Sequence, residues 1–92
     1  MKFVIEEMIY PSGKKYFNFY LNGVPIGATE KVEGGYLIWG KRKPRKTEEL
    51  AAFQMLFDHS RKAAKEMQKW DDLTAEFIKD HPELLNAQKD IS

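Results

Sequence analysis

Four short strand-like runs of apolar and polar residues lie before Gly40, separated by turn residues and without a 3.6-residue pattern, whereas from Thr47 onward apolar positions recur every three or four residues. Alternation sets one face of a strand against a core, and the longer period sets one stripe of a helix against it. The pattern predicts an α+β fold in a single domain: a four-stranded antiparallel β-meander over residues 1–40, a linking segment over 41–46 and a helical part over 47–92. The helical part is expected to begin with a long helix packed on one face of the sheet and to end in one or two short helices.

Turn chemistry sets the register. Pro11-Ser12-Gly13 suits a three-residue hairpin loop, a type I turn followed by a left-handed glycine, and Asn22-Gly23 suits a two-residue type I′ hairpin. Gly34-Gly35 marks a looser third turn. A two-residue loop at Asn22-Gly23 pairs Leu21 with Val24, Phe19 with Ile26 and Phe17 with Ala28 on the core face, and the first hairpin places Phe3 and Ile5 opposite Leu21 and Phe19. Val4, Met8, Tyr16, Asn18, Tyr20, Pro25 and Thr29 then share the other face. That face is more aromatic than a solvated one needs to be, so Tyr16, Asn18 and Tyr20 form a candidate contact surface, the alternative being that a C-terminal helix covers them.

Leu50, Phe53, Leu56, Phe57, Ala63, Ala64, Met67 and Trp70 fall on one stripe of a helix starting at Thr47. Thr47 is the expected N-cap, and Glu48 and Glu49 occupy a first turn where the helix dipole favours negative charge. Asp71-Asp72 reads as a break or a new cap, after which Leu73, Phe77 and Ile78 mark a second, shorter helix. Asp80 and Glu83 stand at capping-box spacing around Pro82, so a third short helix is expected over PELLNAQK, with the last residues frayed.

A chain of 92 residues buries only about 60–65% of the surface its unfolded form exposes, so the core is small. With 42% hydrophobic and 13% aromatic residues the composition is nevertheless that of a globular domain. Cysteine is absent, which excludes disulfides, thiolate metal sites and cysteine nucleophiles. The N-terminal run MKFVIEEMIY carries Glu6 and Glu7 and no long apolar segment, and no stretch approaches the ~20 apolar residues of a membrane span, so a soluble, intracellular protein is expected. The net charge of +1 hides a division: residues 1–69 hold 13 basic and 8 acidic side chains, net +5, and residues 70–92 hold 2 basic and 6 acidic, net −4. A basic body thus ends in an acidic tail, which either serves a second kind of partner or docks on the body.

Candidate chemistry is sparse. Asp58-His59-Ser60 has the residue types of a hydrolytic triad, but residues one and two apart on a helix point away from one another. His81 precedes a proline at a helix start and reads as a cap. No His/Asp/Glu set has metal-ligand spacing, and Gly34-Gly35 leads into a strand instead of the helix a phosphate cradle needs. Neither a catalytic residue nor a metal or other cofactor is therefore expected.

What remains is KRKPRK. Five cations, Lys41, Arg42, Lys43, Arg45 and Lys46, fill six positions, Pro44 bars them from helix or central strand, and mutual repulsion is expected to hold the segment out in water. Tyr36 and Trp39 precede the run, and Arg61, Lys62, Lys65 and Lys69 form a second basic row on the long helix. Aromatic rings beside cations are what single-stranded nucleic acid meets in its binding proteins. These seven residues, Tyr36 through Lys46, are the candidate partner-binding site. The near-neutral total charge favours a composite protein–nucleic-acid target over bare DNA.

FNFYLNGVPIGATEKVEGGYLIWGKRKPRKTEELAAFQML, a meander running into a Thr-capped helix in a small cysteine-free chain, resembles small phage-encoded anti-CRISPR proteins, particularly those acting on type I-F surveillance complexes. The resemblance lies in size and architecture. It implies a protein without enzymatic activity or small-molecule substrate that binds Cas proteins and guide RNA in the cytoplasm of an infected bacterium and hinders target DNA hybridisation. Many such inhibitors are strongly acidic DNA mimics; the basic segment here implies wedging onto Cas subunits near the guide RNA instead. The runner-up expectation is an accessory protein that binds DNA or RNA directly.

Overall fold

Asn22 and Gly23 both adopt positive φ, 50° and 79°, and join two strands by the two-residue turn that their side chains permit. In the computed structural model, which describes residues 1–62 and 65–87, four such strands form one antiparallel sheet in chain order: β1 (Phe3–Ile9), β2 (Lys15–Leu21), β3 (Val24–Val32) and β4 (Gly35–Ile38). The first hairpin closes through Pro11 to Gly13, with Gly13 at φ 89°. Its register pairs Phe3 with Leu21 and Ile5 with Phe19, as expected.

The second hairpin departs from simple pairing. Leu21 faces Val24 and Tyr20 faces Pro25, but Phe19 pairs with Gly27 and Phe17 with Thr29, so Ile26 is an extra residue in a β-bulge. From the bulge onward every side chain of β3 changes face. Thr29, expected outside with Tyr16, is instead fully buried in the core, and Ala28 moves to the outer face. His59 donates from Nε2 to the Ile26 carbonyl at 2.7 Å, which supplies a partner where the bulge disturbs the ladder.

The Thr29 hydroxyl has no hydrogen-bond partner among the described residues. A buried, unpaired hydroxyl carries its desolvation cost without return. Thr29→Val, which keeps the β-branched shape, is expected to stabilise the domain by about 1 kcal/mol, a rise in Tm of about 4–8 °C for a domain of this size. An unchanged or lower melting temperature would show that the hydroxyl is satisfied in solution.

Thr47 caps α1 (Glu48–Lys62), its Oγ1 accepting from the Leu50 amide at 3.1 Å. The expected long helix forms, but it is shorter than the stripe from Leu50 to Trp70 implies. α1 ends at Lys62, and α2 (Met67–Asp80) begins before Asp71-Asp72, which lie inside it and break nothing. The reason is burial: Ala51 to Leu56, six consecutive residues, are all buried, so α1 needs cover on the side away from the sheet as well. α2 supplies it with Trp70, Leu73 and Phe77, and a short 3₁₀ helix (Pro82–Ala87) adds Leu84. Ala63 and Ala64 of the expected stripe, and the expected fraying of the last residues, lie outside the described residues. The Asp80–Glu83 capping box does not form; Asp80 ends α2 and pairs with the Met1 α-amine at 2.9 Å, an interaction that holds its carboxyl below its ordinary range. Phe19, Leu21, Ile26 and Ile38 from the sheet meet Phe53, Leu56 and Phe77 in one core, with Phe3 edge-on to Phe19 and Phe77.

Candidate functional site

The basic segment does not stand off in water as its charge alone implies. After Gly40 the chain turns back, and Arg45 pairs with Tyr36 through both backbone hydrogen bonds, at 2.7 and 2.8 Å. Its side chains are also fastened to α1. Arg45 Nη2 donates to Gln54 Oε1 at 2.6 Å, Gln54 Nε2 donates to Asp58 Oδ1 at 2.9 Å, and Lys41 Nζ pairs with Asp58 Oδ2 at 2.9 Å. Gln54 and Asp58 lie four residues apart and so share one face of the helix, which lets a buried amide and a carboxylate bind two cations of the returning segment. Lys41 and Arg45 are thereby used in the fold. Arg42, Lys43 and Lys46 remain exposed, with no hydrogen bond or salt bridge among the described residues.

Trp39, Lys41, Met55, His59 and Lys62 line a groove of about 340 Å³ between the end of β4 and the C-terminal half of α1. Ile26 and Ile38 contribute to its apolar side. Arg61 and Lys62 also border a shallow depression with Lys41 and Asp58, so two members of the second basic row meet the first here, while Lys65 lies in a turn and Lys69 on α2, away from the single helix expected to carry all four. Asp58 offsets Lys41, while Lys62 and Arg61 leave the rim positive. Within the groove wall His59 stacks on Trp70, centroids 4.0 Å apart, and its Nε2 is committed to Ile26. His81 similarly packs on Phe77 and donates from Nδ1 to the Phe77 carbonyl. Among the described residues no group of three or more histidine and acidic side chains converges as a metal site, and no helix is long and apolar enough to cross a membrane.

Tyr36 and Trp39, both expected to join the basic run in the contact, are on opposite faces of the sheet. Tyr36 points inward, edge-on to Phe17 and Phe19, and donates its hydroxyl to Glu48 at 2.7 Å. That hydrogen bond, with partial burial and the Glu48 charge, pushes its pKa up to about 12. Tyr36 is expected to be the last tyrosine to ionise in an alkaline titration followed by tyrosinate absorbance. Because the folded value lies above the ordinary value of about 10, the contact stabilises fully below pH ~10 and is lost as pH rises toward 12. Tyr36→Phe should remove the last absorbance step and flatten stability across that window.

Tyr16, Asn18 and Tyr20 lie on the outer face, which neither helix covers. There Tyr16 sits between Tyr10 and Trp39, with centroids at 4.6 and 5.1 Å. The contact with Trp39 crosses β3 above Ala28, the small residue that the bulge placed on this face. Tyr10 was not among the candidate residues because it lies in the hairpin connection; its spacing of six from Tyr16 across a three-residue loop was the available signal. Gln54 and Asp58 were also missed. Comparison of the chain with protein-family models, with curated proteins and with solved structures returns no match.

Proposed function

We propose that this chain is a non-enzymatic binding protein that presents its basic rim to a composite target of protein and RNA, and that the target is a type I CRISPR–Cas surveillance complex whose hybridisation with DNA it hinders. The observation that carries the reading is the convergence of Lys41, Arg61 and Lys62 beside Trp39 at the C-terminal end of α1, with exposed Arg42 and Lys43 following directly on a segment anchored to that helix. Anchoring matters because ordered cations lose less freedom on binding than those of a free loop. The resemblance noted in the sequence supplies the identity of the target. Direct binding of DNA or RNA is the second reading, favoured by Trp39 standing beside Lys41 and Lys62 at an open groove.

The test compares wild type with the Arg42→Ala/Lys43→Ala/Lys46→Ala variant, which spares the two pinned cations. With an isolated surveillance complex, wild type is expected to bind and to reduce hybridisation of labelled target DNA. The variant should bind more weakly, with a salt slope shallower by about two for three lost charges at ~0.7 each against single strands. Equally tight binding to free RNA favours the second reading. No binding to either, or equal slopes for the two proteins, refutes the rim as the contact.

A further inference from the structure

The outer sheet face has a chemistry opposite to that of the rim. Reading across the strands, its rows are Val4–Tyr20–Pro25, Glu6–Asn18–Ala28–Trp39 and Met8–Tyr16–Glu30–Leu37. Trp39 is 48% exposed and Val4 39%. The only charges in these three rows are the carboxylates of Glu6 and Glu30; Lys2 and Lys14 stand at the two ends of the first hairpin, outside them. Tyr20 donates to Glu6 at 3.3 Å. Partial burial first, and then the Tyr16 and Glu30 neighbourhood, raise the Tyr10 hydroxyl above its ordinary value; burial and then Glu6 do the same for Tyr20. Both therefore stay neutral across the physiological range.

Adjacent aromatic faces with carboxylates among them favour a cation that brings its own alkyl stem. The ring quadrupole attracts the charge, the apolar edges take the methylenes, and the carboxylate pairs the head group. An anionic ligand would meet Glu6 and Glu30 unfavourably, and a purely apolar partner would bury Glu30 unpaired and Glu6 with only its hydrogen bond from Tyr20. We infer that the outer face of the sheet is a docking surface for an arginine- or lysine-bearing segment of a partner protein, seated along Tyr16 and Trp39 between Glu6 and Glu30. This inference differs from the role of the basic rim in sheet face and in charge, and Trp39 borders both surfaces.

The test titrates the intact protein with a short peptide alternating arginine and serine, its lysine counterpart and its glutamate counterpart, following calorimetry and the backbone amide shifts of Met8, Tyr16 and Asn18. The two cationic peptides are expected to bind and move those resonances, and the glutamate peptide is not. Glu6→Gln/Glu30→Gln should weaken binding about five- to tenfold at low salt, the size expected for two exposed ion pairs, and Tyr16→Ala about threefold. Glu83→Gln, which removes a distant carboxylate on the 3₁₀ helix, should change nothing. Both outer-face variants are surface changes, and their melting curves check that each folds. Equal affinity for the glutamate peptide, full affinity in the double variant, or shifts confined to residues of the basic rim would overturn the inference. So would a concentration-dependent dimer that Tyr16→Ala dissociates, because the occupant would then be a second copy of the chain.

Discussion

Gly35→Ala is expected to destabilise the domain by at least about 3 kcal/mol, near the upper end for a strained backbone position, and to lower Tm by roughly 12–24 °C. Gly35 sits at φ 131°, where L side chains rarely go, and a Cβ built on it overlaps the Arg45 carbonyl oxygen and approaches Lys46 Cα to 2.9 Å. These are backbone atoms of the returning segment, so no side-chain rotation relieves the clash. Either β4 shifts or residues 45 and 46 leave. Hydrogen exchange separates this from general unfolding: the amides of Tyr36 and Arg45 should lose protection first, while those of β2 keep theirs. A variant that melts like wild type with both amides protected would mean that the segment does not lie against β4 in solution.

Phe19→Ala and Phe53→Ala are each expected to cost about 3–5 kcal/mol, much of the stability available to a small domain. Phe19 is fully buried on β2 and Phe53 is 1% exposed on α1, so each truncation opens a cavity between the sheet and the helix. The sandwiched position of α1 allows little collapse, since α2 holds it from behind. Chemical denaturation should show a lower midpoint with an unchanged slope. A midpoint within error of wild type for either variant would refute the assignment of the core face.

The local parts of this fold were legible in the residues. Asn22-Gly23, Pro11 to Gly13 and Thr47 act through their own backbone preferences, and they fix two hairpins and a helix start without help from distant contacts. The bulge at Ile26 was not legible, because VPIGAT alternates well enough to read as an unbroken strand; the misplacement of Thr29 follows from that single extra residue. The division of the helical part was hidden for a different reason. A continuous stripe from Leu50 to Trp70 fits one helix, and only the run AAFQML, apolar around most of the circumference, signals that a second layer must cover the first. Five consecutive-looking cations read as solvated, since their anchors Gln54 and Asp58 are set by tertiary packing. Of the candidate residues, the exposure of Trp39, Arg42, Lys43 and Lys46 was legible, and the inward turn of Tyr36 was not.

The return of Arg45 onto Tyr36 also has a consequence for association. β4 would otherwise end the sheet with open amides and carbonyls, a template for another chain, and the returning segment occupies part of that margin with a strand-like residue flanked by Pro44 and repelling cations. Among the described residues the opposite margin, β1, has no such cover, and its Val4 and Ile9 are exposed, Ile9 by 63%. Glu6 and Glu7 at its middle oppose antiparallel self-pairing there, because two copies in register would set like charges face to face. Resistance to sheet-to-sheet polymerisation thus rests on steric cover at one side and charge at the other. Glu6→Gln/Glu7→Gln removes only the second, so polymer growth in that variant should start from β1.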